Sequence, residues 1–121
     1  MMPNIKSESA FVTATVLTLG IALGCAHVPL NDKRAVSSIG IAQEAGADEI
    51  PRASVHLNLA KRELKEARIL SENGHCGRAN SLLMRAEVDG AMALALFRES
   101  AEKAAAANAR QRVMQLQKQS D

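Results

Sequence analysis

The chain has 121 residues, enough for one small domain with a modest core and too few for two. Its 15 basic and 13 acidic side chains leave a net charge of +2, which is not the strongly basic balance of a nucleic-acid-binding protein. Only two residues are aromatic, both phenylalanine, which excludes stacking platforms for bases or sugars and an aromatic cofactor pocket. We therefore expect no nucleic acid and no cofactor.

An apolar segment near the N terminus predicts an export signal. Residues 11–24 form an uncharged run that would be about 21 Å long as a helix, short of the roughly 30 Å hydrocarbon core of a bilayer. This length fits the hydrophobic region of a secretory signal peptide, and Lys6 supplies the positive charge that precedes it. We assign residues 1–24 to a signal peptide.

The end of this segment, Ala22-Leu23-Gly24-Cys25, resembles the lipobox of bacterial lipoproteins. The resemblance implies cleavage before Cys25, with a diacylglycerol and an N-linked acyl chain on that residue as the lipid attachment site. Two or more acyl chains anchor a protein stably, because each buried methylene contributes about 0.8 kcal/mol. Ala26 stands where an aspartate often retains lipoproteins in the inner membrane, which favours the periplasmic face of the Gram-negative outer membrane. Cleavage by the ordinary signal peptidase and an uncleaved, tilted anchor remain alternatives.

The second cysteine, Cys76, is expected to have no intramolecular partner once Cys25 is acylated. It lies in a Gly-His-Cys-Gly turn, and the other histidines are not at metal-site spacing, so we predict no metal. A disulfide between chains remains an alternative. An incidental thiol in a turn is the favoured interpretation.

Residues 25–31 are predicted to form a tether, followed by a helical domain over residues 32–119. The first helix begins after Asp32 as N-cap, and its apolar stripe consists of Ala35, Ile39, Ala42 and Gly46. Gly46 is expected to end this helix in a left-handed conformation. Gly40 lowers its intrinsic stability, so we expect it to depend on docking.

The second helix is predicted to be capped by Asp48, to contain Pro51 in its first turn and to end near Ser71. Its apolar positions recur every three or four residues: Ile50, Ala53, Leu57, Ala60, Leu64, Ala67 and Leu70. The opposite face carries the candidate interaction residues Lys61, Arg62, Lys65 and Arg68. Such faces are usually solvated, and a specific role here would be binding of anionic lipid or an envelope polymer.

The third helix is predicted over residues 78–117, longer than the second. Its stripe has the 3-4 spacing of packed antiparallel helices: Ala79, Leu83, Ala86, Gly90, Ala93 and Phe97. Small residues allow close approach of the second helix, whose Leu57 and Leu64 would fill the remaining space. Gly90 therefore indicates either close packing or a kink.

The helix lengths differ by about 25 Å, so residues 101–117 should extend beyond the second helix. This overhang would pair with another copy, pair with another protein, or fray. We expect a disordered tail at residues 120–121 and weak self-association upstream of it.

Once these helices are placed, a family resemblance covers most of the mature chain. The residues that carry it are Gly46, Ala47, Pro51, Leu57, Ala60, Leu64, Ala67, Gly74, Ala79, Leu83, Ala86 and Ala93. Their order resembles the short bacterial lipoproteins classed as domain of unknown function 4398. The resemblance implies a helical hairpin with an extra N-terminal helix, without an assigned activity. The hairpin also resembles one tetratricopeptide unit, although such solenoids need about three repeats.

The predicted fold is all-α, a long antiparallel hairpin with a shorter N-terminal helix and an overhanging C-terminal helix. No nucleophile and base occur at a recognisable spacing, and Glu63, Glu66 and Glu87 are interpreted as surface carboxylates, so no catalysis is expected. We predict a lipid-anchored structural or protein-interaction role in the cell envelope, with an envelope protein or peptidoglycan as partner. The alternative is a peripheral binder of anionic lipid or polymer.

Overall fold

A computed structural model describes residues 29–120, and within this part the chain is all-α. Helix α1 spans Lys33–Glu44, α2 spans Pro51–Glu72 and α3 spans Cys76–Ser120, with a short 3-10 turn at Ala47–Glu49. The predicted fold class is thus confirmed. The predicted signal peptide, Cys25 and Asp121 lie outside the described residues.

Alanines at every seventh position line the seam between α2 and α3. They are Ala53, Ala60 and Ala67 in α2 and Ala79, Ala86 and Ala93 in α3, and all six are 0% exposed. Because methyl groups occupy little volume, the two backbones can lie close together. Leu57 is the one large side chain in the described part that is completely buried. The predicted antiparallel hairpin and its small-residue seam are therefore confirmed.

Helix α1 packs across the hairpin and lies close to α3 at Gly90. A Cβ atom on Gly90 would lie 2.7 Å from Ser38 Oγ and 3.1 Å from the backbone nitrogen of Ile39. Ser38 Oγ also donates a hydrogen bond of 2.9 Å to the carbonyl oxygen of Glu87. The prediction of close packing at Gly90 is confirmed, but the predicted neighbour was wrong, because α1 rather than α2 occupies this space. α3 continues as a helix through Gly90.

At the helix ends, the predicted turn glycine is confirmed but the predicted side-chain capping is not. Gly46 ends α1 with a left-handed φ of 90°, as predicted. Asp32 is the N-cap residue of α1, but its carboxylate makes no capping hydrogen bond. Asp48 lies in the 3-10 turn, and Ile50 occupies the N-cap position of α2 without a side-chain cap. The predicted capping by Asp48 is therefore wrong, and Pro51 begins the helix with a preset φ instead.

Helix α3 is longer than predicted at both ends. It starts at Cys76 and includes Ser120, which the sequence had assigned to a disordered tail. At about 1.5 Å per residue, α2 is about 33 Å long and α3 about 68 Å. All residues from 101 to 120 are exposed, and we call this segment the α3 extension. The predicted overhang is confirmed.

Candidate functional site

The four basic residues predicted as one interaction face lie on two sides of α2. Lys61, Lys65 and Arg68 line a groove of about 520 Å³ between α1 and α2. Arg62 lines a different groove, also of about 520 Å³, between α2 and α3. The structure therefore brings three of the four together and separates Arg62 from them.

One of the three, Arg68, is held by an ion pair with α1. Its Nη2 and Nε atoms donate to Asp32 Oδ2 at 2.6 and 2.9 Å. An exposed pair of this kind contributes at most about 1 kcal/mol, but it connects the start of α1 to α2. Lys61 and Lys65 form no ion pair with any described residue. The predicted basic face is thus reduced to two unpaired lysines.

The groove between α2 and α3 is the more unusual surface, and we call it the arginine groove. Its charged lining consists of Arg62, Glu63, Glu66, Arg78 and Arg85. Three half-buried leucines and one serine form the rest of its walls. Because α2 supplies one guanidinium and two carboxylate groups and α3 supplies two guanidinium groups, the groove contains charges of both signs.

Glu63 is the one charged residue that is buried in the described part of the chain, with 3% of its surface exposed. Arg85 Nη2 lies 2.8 Å from Glu63 Oε1. This contact is not aligned as a hydrogen bond, and neither carboxylate oxygen accepts one from a described residue. Burial raises the pKa of the Glu63 carboxyl group, the positive charge of Arg85 lowers it, and nearby Asp89 raises it further.

The sequence interpretation of Glu63 as a surface carboxylate was wrong. Positions 63 and 64 both fit the helical spacing between the buried residues Ala60 and Ala67. The apolar Leu64 was assigned to the stripe, yet Glu63 is buried and Leu64 only half-buried. Because both positions fit the buried spacing, the sequence did contain a signal that Glu63 could be buried.

Asp89 of α3 lies near Glu63 and also contacts His56, which precedes Glu63 by seven residues in α2. His56 Nδ1 and Asp89 Oδ1 lie 2.7 Å apart. Two titratable groups of α2, His56 and Glu63, are therefore both close to the Asp89 carboxylate of α3. No group of three or more His, Cys, Asp or Glu residues within positions 29–120 is placed to hold a metal ion.

Cys76 begins α3. Its sulfur is not a free thiol in the structure, so the expectation of an unpaired cysteine is wrong. We assign it no role in either groove, since it lines neither of them.

Comparison with known proteins identified no relative of this chain. No family model, curated protein or solved structure matches the chain. The resemblance to the lipoproteins of domain of unknown function 4398 therefore stays a prediction. Among the described helices, none is long and apolar enough to cross a membrane.

Proposed function

We propose that this chain is a lipid-anchored periplasmic protein with a structural or protein-interaction role in the cell envelope. The observation that carries the proposal is the α3 extension, whose residues 101–120 are all exposed. At about 1.5 Å per residue it forms a helical arm of about 30 Å. Most helix stability in proteins comes from packing of an apolar face, which the exposed arm lacks among the described residues, so a binding partner would stabilise it.

The α3 extension has its own apolar stripe, separate from the hairpin seam. Continuing the seam spacing beyond Phe97 leads to Ser100, Ala104, Ala107, Gln111, Met114 and Lys118, and three of these six residues are polar. The apolar residues that follow a 3-4-3 spacing instead are Ala106, Ala109, Val113 and Leu116. A partner of the extension would therefore contact a face that the hairpin does not use.

The charges of the extension favour a partner other than a parallel copy. Arg110, Arg112 and Lys118 are its charged residues beyond Lys103, and all are basic. Two parallel copies would place these like charges side by side. An acidic and apolar surface of another envelope protein, or an antiparallel copy, avoids this repulsion.

Photo-crosslinking in cells tests this role. We expect a photoreactive residue at Val113 of the full chain to form discrete adducts, because this position is 55% exposed on the apolar stripe. The matched control is Val55 of α2, which is 63% exposed but lies outside the extension. An adduct of twice the chain mass would identify a second copy. Absence of adducts at Val113, or equal adducts at Val55, would contradict the proposal.

The lipid anchor is proposed on Cys25, which lies outside the described residues. Its test is the intact mass of the chain extracted from bacterial membranes. We expect a chain that begins at Cys25 and carries acyl mass, with that mass absent in the Cys25→Ala variant. An unacylated chain whose two cysteines react with alkylating reagents only after reduction would contradict lipidation.

The second candidate function is peripheral binding of anionic lipid or an envelope polymer. It is supported by the two unpaired lysines, Lys61 and Lys65, beside an apolar groove that includes Val36 and Ile69. Long basic side chains above an apolar surface suit an anionic interface. Unchanged binding to anionic liposomes and to peptidoglycan in a Lys61→Glu, Lys65→Glu variant would remove this candidate.

A further inference from the structure

The arginine groove contains charged groups of both signs that the protein itself does not neutralise. Arg85 and Glu63 pair with each other. Arg62, Arg78 and Glu66 have no ion-pair partner within 4.0 Å among residues 29–120. Two guanidinium groups and one carboxylate thus remain available to a ligand.

The dimensions of the groove fit a small molecule. Its volume of about 520 Å³ lies within the range of about 300–1,000 Å³ that is usual for ligand sites. Leu59, Leu70 and Leu82 supply apolar surface in the same groove, and each is half-buried. A ligand could therefore bury an apolar group while its charged groups contact the rim.

The charge pattern selects against a simple dianion. Arginine forks bind carboxylate or phosphate oxygens well. Here, however, Glu63 and Glu66 lie in the same groove and repel a second negative charge. The oxygens of Glu63 are buried, so the exposed Glu66 is the carboxylate that a ligand can reach. A ligand that carries one negative and one positive group matches this lining best.

We propose that the arginine groove binds a small zwitterion of the amino-acid or short-peptide class. The ligand carboxylate contacts Arg62 and Arg78, and its ammonium group contacts Glu66. An apolar side chain of the ligand lies against the three leucines. This site is independent of the lipid anchor and of the α3 extension.

Calorimetric titration of the purified full chain tests the proposal with four probes. They are the dipeptide leucyl-alanine, its N-acetyl derivative, its C-terminal amide and inorganic phosphate. We expect the free dipeptide to bind at least about tenfold more tightly than the other three, because only it satisfies both signs of charge. Equal binding of the acetylated dipeptide or of phosphate would overturn the zwitterion assignment. No saturable binding of the dipeptide at millimolar concentration would overturn the site itself.

Variants locate the binding within the groove. We expect Arg62→Gln and Arg78→Gln each to weaken dipeptide binding at least about tenfold. Glu66→Gln should weaken binding of the free dipeptide without changing that of the acetylated one. All three residues are exposed, so these variants should fold, which circular dichroism can verify. Lys61→Gln is the matched control, since Lys61 adjoins Arg62 in sequence but lines the other groove, and an equal loss there would refute the assignment.

Discussion

Replacing Gly90 by alanine is expected to lower the free energy of unfolding by about 2 kcal/mol, as is typical of overpacking in a tight contact. The added Cβ would lie 2.7 Å from Ser38 Oγ and 3.1 Å from two backbone atoms of α1. The Ser38 side chain can rotate away, but the backbone contacts can be relieved only if α1 moves. Such a shift would also disturb the hydrogen bond from Ser38 to Glu87. Urea unfolding of the purified full chain measures the effect.

Gly40→Ala is the matched control, because it makes the same chemical change within a helix. A Cβ atom at Gly40 meets nothing within 4 Å. We expect this variant to be more stable than the parent by about 0.5–1 kcal/mol, the usual difference in helix propensity. If Gly90→Ala were stabilised as much as Gly40→Ala, the close approach of α1 and α3 would be disproved.

The sequence pattern predicts which face of each helix is buried but not which neighbour covers it. The spacing of alanine and leucine in α2 and α3 was sufficient to predict the hairpin, since 3-4 periodicity is a local property. Gly90 belonged to the predicted stripe, yet the helix that packs on it is α1. The reason is that neighbour identity depends on contacts between residues far apart in sequence.

The candidate sites were harder to predict than the fold. Lys61 and Arg62 are adjacent in sequence, but successive helical residues are rotated by about 100° and so line different grooves. Arg68 was predicted to be available for binding, but it pairs with Asp32, which is 36 residues away in sequence. Glu63 is buried where Arg85 from α3 supplies an opposite charge. Ion pairs between helices leave no periodic signal, so polar groups within a seam are predicted poorly.

Removing the guanidinium of Arg85 is the second change with a large expected effect. Arg85→Met leaves Glu63, whose side chain is 4% exposed, without its counter-ion. Loss of one partner of a buried pair costs about 3–5 kcal/mol. We expect about 2 kcal/mol at neutral pH, because Arg85 itself is 64% exposed and solvent screens it. The double variant Glu63→Leu, Arg85→Met should recover most of this loss, since no buried charge remains.

The pH dependence of stability separates this charge effect from lost packing. Burial raises the pKa of folded Glu63 above its ordinary value of 4.5, so the native state holds this proton more tightly than the unfolded state does. Its contribution to stability is present below pH 4.5 and is lost as the pH rises through the raised value. Without Arg85, which lowers this pKa, the loss should continue to higher pH. We therefore expect the deficit of Arg85→Met to be small at about pH 4, below the ordinary pKa of Glu63, and larger at about pH 7. An equal deficit at both pH values would mean that Arg85 stabilises the hairpin by packing and not by its charge.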